Sequence, residues 1–534
     1  MVFTLHRYIF RELFKVFFLA AVALTLILSL GIILRPVQEY GVGPRQAVHL
    51  MGYFLPITLT FVLPMAALFA AALVYGRFTS DNELDACRAS GISLLTLVYP
   101  GLALAIMVAI VNLILSFHVM PYFVHRAEQS LKADAKQILF RNIQRSGYYK
   151  PAGGRYVIYA DEADLQNDTL SGVVIAEVKN NKIEKIITAE SARVRFSSHG
   201  NFNEVRITAN NTYQIGPEGE AWFSLEWLSL TKEFPSLLGD DIKFKKLHEM
   251  KEIRDVDPML FYPIAQLARE TYAQLTVELL AEDIAGKTAE DSNSLYKLHS
   301  GEKLVEFTAS NCALLDEEKV ELSDEVVVFE YDADSRERLE TLRCTKASLH
   351  IEGDELSPTL TMVLYNAAWE RPDGSEGLTR RHIIRGLIIP KTVTDQFKTE
   401  NVLEAIKLAS QSPALRKGTS KKLKGLQDKL QKMIDYTMAE IAAEVHTRLV
   451  FGIGCVPVIM IGIGLGIMLR GGHLLSAFGA SSVPAGVLIV CIMMGKNITK
   501  NPGAQAGSGI ALMWAGLVFL TLLAMLIYRK LLKN

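Results

Sequence analysis

The segment Leu63–Ser93, LPMAALFAAALVYGRFTSDNELDACRASGIS, changes character twice. It is apolar up to Gly76, carries Arg77, Asp81, Glu83, Asp85 and Arg88 in its middle, and from Ile92 begins a run that stays uncharged to Phe117. A helix needs about 20 apolar residues to cross a hydrocarbon core roughly 30 Å thick, because each residue advances about 1.5 Å. The segment therefore reads as the end of one membrane span, a short polar loop and the start of the next. Within the loop, Asn82 to Ala89 predicts a short helix presenting Glu83 and Arg88 beside Leu84, with Gly91 ending it. Charged ends around an apolar centre suit docking into a groove on another protein, while a solvated loop helix is the plainer reading.

Working outward, the same test finds six spans. Val16 to Leu34 is uncharged, 31 uncharged residues separate Arg45 from Arg77, and Ile92 to Phe117 gives 26 more. Near the C-terminus, Arg448 and Arg470 bracket 21, Arg470 and Lys496 bracket 25, and Lys500 and Arg529 bracket 28. The layout is three spans, a large water-soluble insert, then three spans. The net charge of -1 over 534 residues hides this division: residues 1–117 and 448–534 carry 14 Lys and Arg against 5 acids, and the middle 42 against 52. Such a chain is not a disordered tail, a disulfide-rich mini-protein or a strongly basic nucleic-acid binder. Lys and Arg are retained on the cytoplasmic side of short loops. With the N-terminus inside, nine of them fall on that side and only Arg35, Arg45, Lys496 and Lys500 opposite, so both termini are expected in the cytoplasm and the insert outside. The stretch HRYIFRELFKVFF before the first span reads as an interfacial amphipathic lead-in, and no small-residue cleavage site follows that span.

The insert alternates β-branched residues with polar ones from Tyr148 onward, as in RYVIYA, GVVIAEV and ARVRF, with turn residues between them. A comparable series returns in KLVEFTA, VELSDEVVVFEY and LRCTKASLHI, which predicts an antiparallel roll of two related halves, or two rolls. Between the series, Leu260, Ile264, Leu267, Tyr272 and Leu275 follow helical spacing. A second helical stripe, Leu423 to Val445, runs into the fourth span and would join the soluble block to the membrane. The expected boundaries are 1–117 for spans one to three with a cytoplasmic loop at 77–91, and 118–241 for the first β part. Residues 242–294 form a helical insert, 295–395 a second strand series, 396–447 a connecting helix and 448–534 spans four to six. Cys312 and Cys344 lie where the compartment would permit a disulfide, which the sequence leaves open.

Catalytic constellations are missing from the sequence. There is no GxxxxGK[ST] loop, Gly495-Lys496-Asn497 lacking the hydroxyl residue, and no HExxH, zinc spacing or GxSxG elbow, so neither a metal nor a cofactor is expected. Pro56 and Pro64 predict a kink in span two, and the glycines at 452, 454, 462, 464 and 466 predict close helix packing.

The loop resembles the coupling loop of the LptF/LptG (YjgP/YjgQ) permeases of the lipopolysaccharide transport ABC exporter. That loop reads approximately ELxAxRAxGxS after a PMAAL-containing span, matched here by Pro64 to Leu68, Glu83-Leu84, Ala86, Arg88-Ala89, Gly91 and Ser93. A second match lies where the chain enters span four, through Glu444, His446 and Arg448. The exported region is longer than the family leads one to expect, and its second strand series resembles bridge proteins of the LptA/LptC type.

The resemblance implies a six-span membrane α-helical protein (3+3) with an inserted periplasmic antiparallel β-jellyroll and a helical insert, seated in the bacterial inner membrane. It implies a non-enzymatic permease that extracts lipopolysaccharide or a related glycolipid for export to the outer membrane. A sister permease, an LptB-like ATPase dimer that binds the ATP, and LptC/LptA-like periplasmic bridges are its implied partners. Glu83, Leu84, Arg88 and Gly91 would dock the ATPase, and Arg35, Arg45 and Lys496 would meet lipid phosphates. A membrane scaffold that anchors a β-domain without transport is the alternative.

Overall fold

The computed structural model describes residues 2–533 apart from 41–43, 134, 151–155, 180–181, 200–201, 216–220, 235–240, 291–294, 301–302, 316–318, 333–334, 355–356, 391–392, 394–402, 405, 407–419, 469–473 and 502–505. In chain order the helices are α1 (Val2–Tyr40), α2 (Pro44–Ser80), α3 (Glu83–Ala89), α4 (Leu94–Ile114), α5 (Met120–Ala133), α6 (Ala135–Ser146), α7 (Leu247–Asp255), α8 (Tyr262–Glu290), α9 (Lys421–Met468), α10 (Leu474–Lys500) and α11 (Ala506–Lys533). A π-helical turn, Leu115–Val119, joins α4 to α5. Among the described residues, six helical stretches are long and apolar enough to cross a membrane: Phe3–Gly31, Met51–Ser80, Leu94–Ser130, Lys421–Met468, Gly479–Lys500 and Gly507–Leu532. The chain divides into two units, Met1–Asp257 with Asp435–Asn534, and Pro258–Ile434.

In the first unit the expected interfacial lead-in is not a separate element. Residues 6–18 belong to the one helix α1, and Ile9, Leu13 and Phe17 are buried in the core formed with α2 and α4. Helical spacing of these three places them on one stripe, so the segment packs against protein. In α2, Pro64 cannot donate to the carbonyl of Thr60, four residues back. Asn112 of α4, fully buried, fills that gap by donating from Nδ2 to the Thr60 oxygen at 2.6 Å. The glycines of α9 meet several neighbours. A Cβ at Gly452 would touch Leu113, at Gly454 Leu488, at Gly462 Leu68, and at Gly464 Ile527. At Gly466 it would lie 2.9 Å from the Ala72 carbonyl oxygen, so only glycine permits this approach of α9 to the α2 backbone.

Strands begin only at Tyr148, since α5 and α6 occupy most of 120–146, the start of the region expected to be β. The first sheet is antiparallel in the order β1 (Tyr148–Tyr149), β2 (Tyr156–Asp164), β3 (Thr169–Lys179), β4 (Lys182–His199), β5 (Phe202–Ile215), β6 (Ala221–Phe234). Its inward residues Ile158, Leu170, Val173, Ile187 and Val194 pack on Leu139, Phe140 and Ile143 of α6.

The second unit holds a separate antiparallel sheet of β7 (Tyr296–His299), β8 (Lys303–Thr308), β9 (Asn311–Leu315), β10 (Lys319–Asp332), β11 (Arg338–Asp354), β12 (Ser357–Glu370) and β13 (Glu376–Leu387). The order is β13-β12-β11-β10-β8-β7, with β9 pairing β10. The Ile388 N–H donates to the His299 carbonyl, so the chain just past β13 meets β7 and the sheet curls toward closure. Leu275, Leu279, Leu280 and Ile284 of α8 share its core with Leu423 at the start of α9. The two strand series are thus two sheets, and Cys312 and Cys344 are free thiols. The connecting helix is described from Lys421, most of 394–419 lying outside the described residues.

Candidate coupling helix and membrane-entrance site

Seven residues are too few for a helix to persist alone. α3 is held by its ends and by one anchor. At its C-terminus Gly91 has φ +84°, its N–H donates to the Arg88 carbonyl at 2.9 Å, and the Ile92 N–H donates to the Cys87 carbonyl at 3.2 Å. This is a Schellman turn, and it needs the left-handed residue that glycine supplies at little cost. Two residues later the Ser93 hydroxyl accepts the Thr96 N–H at 3.3 Å and starts α4. Glu83 and Asp85 lie in the first turn and Arg88 in the last, each matching the helix dipole. Leu84 is 4% exposed and sits in the chain's own core with Phe78, Leu94 and Leu97. It anchors the helix from beneath, which differs from the outward position expected of it, while Glu83 and Arg88 are exposed. Below, Tyr75 donates from its hydroxyl to the Leu97 carbonyl at 2.9 Å, binding α2 to α4 beside the loop.

The second constellation lies on α9. Arg448 is 3% exposed, and its Nε donates to Glu444 Oε1 at 3.2 Å, one helical turn away. Its Nη2 donates to the carbonyls of Lys243 at 2.8 Å and Lys245 at 3.2 Å, and its guanidinium stacks over the Phe117 ring at 5.6 Å. The other Glu444 oxygen accepts from Lys496 Nζ of α10 at 2.6 Å. A further turn away Lys500 pairs with Glu440. His446 accepts at Nδ1 from the Trp514 indole N–H of α11 at 3.3 Å. The three residues singled out at the start of span four therefore tie it to two other spans and to the chain leading into α7. Of the cations expected to meet lipid phosphates, Lys496 is engaged by Glu444, and the side chains of Arg35 and Arg45 lie outside the described residues.

Sequence reading missed two clusters. His125 of α5 lies 3.2 Å from Glu249 Oε1, and Glu249 Oε2 accepts the Lys246 N–H at 2.8 Å, fixing the first turn of α7. Burial opposes ionisation of Glu249, but His125 and the Lys246 N–H outweigh it and hold its carboxyl down at about 2. In the second sheet Glu330 is fully buried; Oε2 accepts from Lys303 at 2.8 Å and Oε1 pairs with His382 Nε2 at 2.9 Å. Glu340 stands directly opposite Glu330 on β11 and lies 3.7 Å from His382. Glu330, Glu340 and His382 are spaced closely enough to share a metal ion. Lys303 and His382 already occupy both Glu330 oxygens, so the geometry is that of an ion-pair knot. Only the inward alternation Val326, Val328, Glu330 could have flagged it.

No curated protein matches the chain. A family model described as lipopolysaccharide export system permease LptF/LptG matches residues 7–246, which hold the first three candidate spans, α3 and the first sheet. That match, together with six helices among the described residues able to cross a membrane, supports placing the chain with the LptF/LptG family of lipopolysaccharide export permeases.

Proposed function

We propose that this chain is the permease subunit of an ABC transporter that extracts lipopolysaccharide, or a related glycolipid, from the inner membrane and passes it to a periplasmic jellyroll bridge. It would pair with a sister permease above an LptB-like ATPase dimer that binds and hydrolyses ATP, and hand lipid to LptC/LptA-like proteins. The nine-to-four distribution of loop cations supports cytoplasmic termini and periplasmic sheets.

The observation that carries this reading is α3: a seven-residue helix pinned between two spans, with Glu83 and Arg88 exposed and Leu84 sunk into the core beneath. ATPase closure would press on the exposed face. Leu84 would pass the displacement into α2, and α2 would pass it to α9 through the contacts at Gly462 and Gly466. Close-packed interfaces of this kind shift as units because they have no free volume to absorb strain. Gly91 keeps the helix short and its exit angle fixed. Arg35, Arg45 and Lys496 are proposed to meet lipid phosphates, Lys496 by exchanging one anionic partner, Glu444, for another.

Co-purification with the ATPase, followed by ATP-driven lipid release from proteoliposomes, tests the reading. Glu83→Lys reverses the exposed charge without touching the Leu84 anchor and is expected to lower ATP-driven release about tenfold or more, the effect of losing a charged contact of roughly 1.4 kcal/mol or above. Wild-type assembly and release in that variant would remove α3 as the docking element.

A further inference from the structure

Where the uncharged run of span three ends, the helix passes through the π-helical turn Leu115–Val119. A π turn inserts one residue into the helical repeat and is a recurrent mark of functional positions. Three of its five residues, Phe117, His118 and Val119, line a cavity of about 650 Å³ closed on its other side by the first turns of α7. Its wall is apolar, built chiefly by Phe117, Phe123 and Leu247. Its polar side chains are Lys246, Lys251, His118, His248 and Tyr122, and among the described residues no lining side chain is a carboxylate. The nearby Glu249 is committed to His125 and to the Lys246 N–H. Behind the wall, Arg448, paired with Glu444, stacks on Phe117 and holds that ring in place.

An aromatic and aliphatic wall bordered by lysines, just past the end of the uncharged run of span three, complements an amphiphile with one anionic head. The volume falls within the roughly 300–1,000 Å³ of sites for drug-sized ligands. That accommodates one phosphodiester head and the upper part of its chains, and is too small for a multi-chain glycolipid. We propose that this cavity binds one anionic glycerophospholipid of the surrounding bilayer, its phosphate between Lys246 and Lys251 and its chains along Phe117 and Phe123. Such a lipid is a resident ligand of the permease, separate from the cargo, and its binding can be measured without transport.

Native mass spectrometry of the full-length protein, titrated with phosphatidylglycerol or phosphatidylcholine of matched chains, tests this. One phosphatidylglycerol adduct is expected at about tenfold lower lipid concentration than for phosphatidylcholine, and the paired substitution Lys246→Glu, Lys251→Glu should weaken it at least about fivefold, whereas Lys432→Glu should leave it unchanged. Inorganic phosphate at millimolar concentration should fail to displace the lipid; displacement would mean that only a free anion is held, and would overturn the proposal. Should the paired variant fail to fold, Tyr122→Trp places a fluorophore at the cavity edge with the lysines intact. Its emission should be quenched by chain-brominated phosphatidylglycerol more than by chain-brominated phosphatidylcholine in nanodiscs. Equal adducts for the two lipids, or equal quenching, would also overturn it.

Discussion

Two buried glutamates, Glu444 in a membrane-crossing helix and Glu330 in the second sheet, each hold two basic partners, yet they do different structural work. Lys303 and His382, the partners of Glu330, belong to strands of the same sheet: Lys303 lies on β8, which pairs with β10, and His382 on β13, with β11 and β12 between it and β10. Glu444 gathers Arg448 from its own helix and Lys496 from α10, and Arg448 then reaches backbone carbonyls about 200 residues earlier in the chain. One knot is made within a single sheet; the other joins separate helices and the chain that leads into α7. The lesson is that equal burial and equal charge count do not make equal constraints.

The comparison breaks most visibly if Arg448 is replaced. Arg448→Met leaves Glu444 with a single cation and the Lys243 and Lys245 carbonyls without their donor, a change expected to cost about 3–5 kcal/mol, the range for breaking one side of a buried pair. Denaturant unfolding of the purified protein in detergent measures it. Glu330→Gln should cost less, about 1–3 kcal/mol, because the amide still accepts and Lys303 can turn to solvent. Unfolding of the second unit, followed by hydrogen exchange of β10 amides, gives that value, and a loss as large as for Arg448→Met would erase the distinction.

Acid sharpens the contrast further. Burial works against ionisation of Glu330, but His382 and Lys303 prevail and hold its carboxyl below the usual carboxylate range. Its stabilisation is therefore complete above the ordinary carboxylate value and is lost as pH falls through the lower folded value. The same sign holds for Glu249, whose contribution should fade between pH 4.5 and about 2. Hydrogen exchange along β10 and α7 over that interval should quicken in the intact protein, and flat protection would contradict both assignments. The smallest expected effect concerns the thiols. Burial pushes Cys312 up to about 11 and raises Cys344 as well, so both should alkylate slowly near neutral pH and show no mass change on reduction. A reducible link between them would show that the sheet depends on a covalent tie as well as on strand register.

Much of this was legible in one dimension. Uncharged runs gave the spans because hydrocarbon excludes charge, and Gly91 marked the end of α3 because few other residues accept φ +84°. The spacing of Glu444 and Arg448 placed them one turn apart on a helix. Lys496 as partner to Glu444 was not legible, since 52 residues separate them and nothing local encodes the meeting. Leu84 read as an outward contact because a short apolar centre between charges looks the same whether it faces a partner or the chain's own core. The amphipathic stretch before span one misled for a related reason: a one-sided apolar stripe does not say whether lipid or protein covers it.

The meeting of Pro64 and Asn112 carries a consequence for biogenesis. Until α4 is made, α2 holds a bare carbonyl at Thr60 in a medium that offers it no water. The second span is thus chemically unfinished when it leaves the ribosome, and the third completes it. These two spans should enter the bilayer as a hairpin, with the loop that carries Glu83 and Arg88 as its turn.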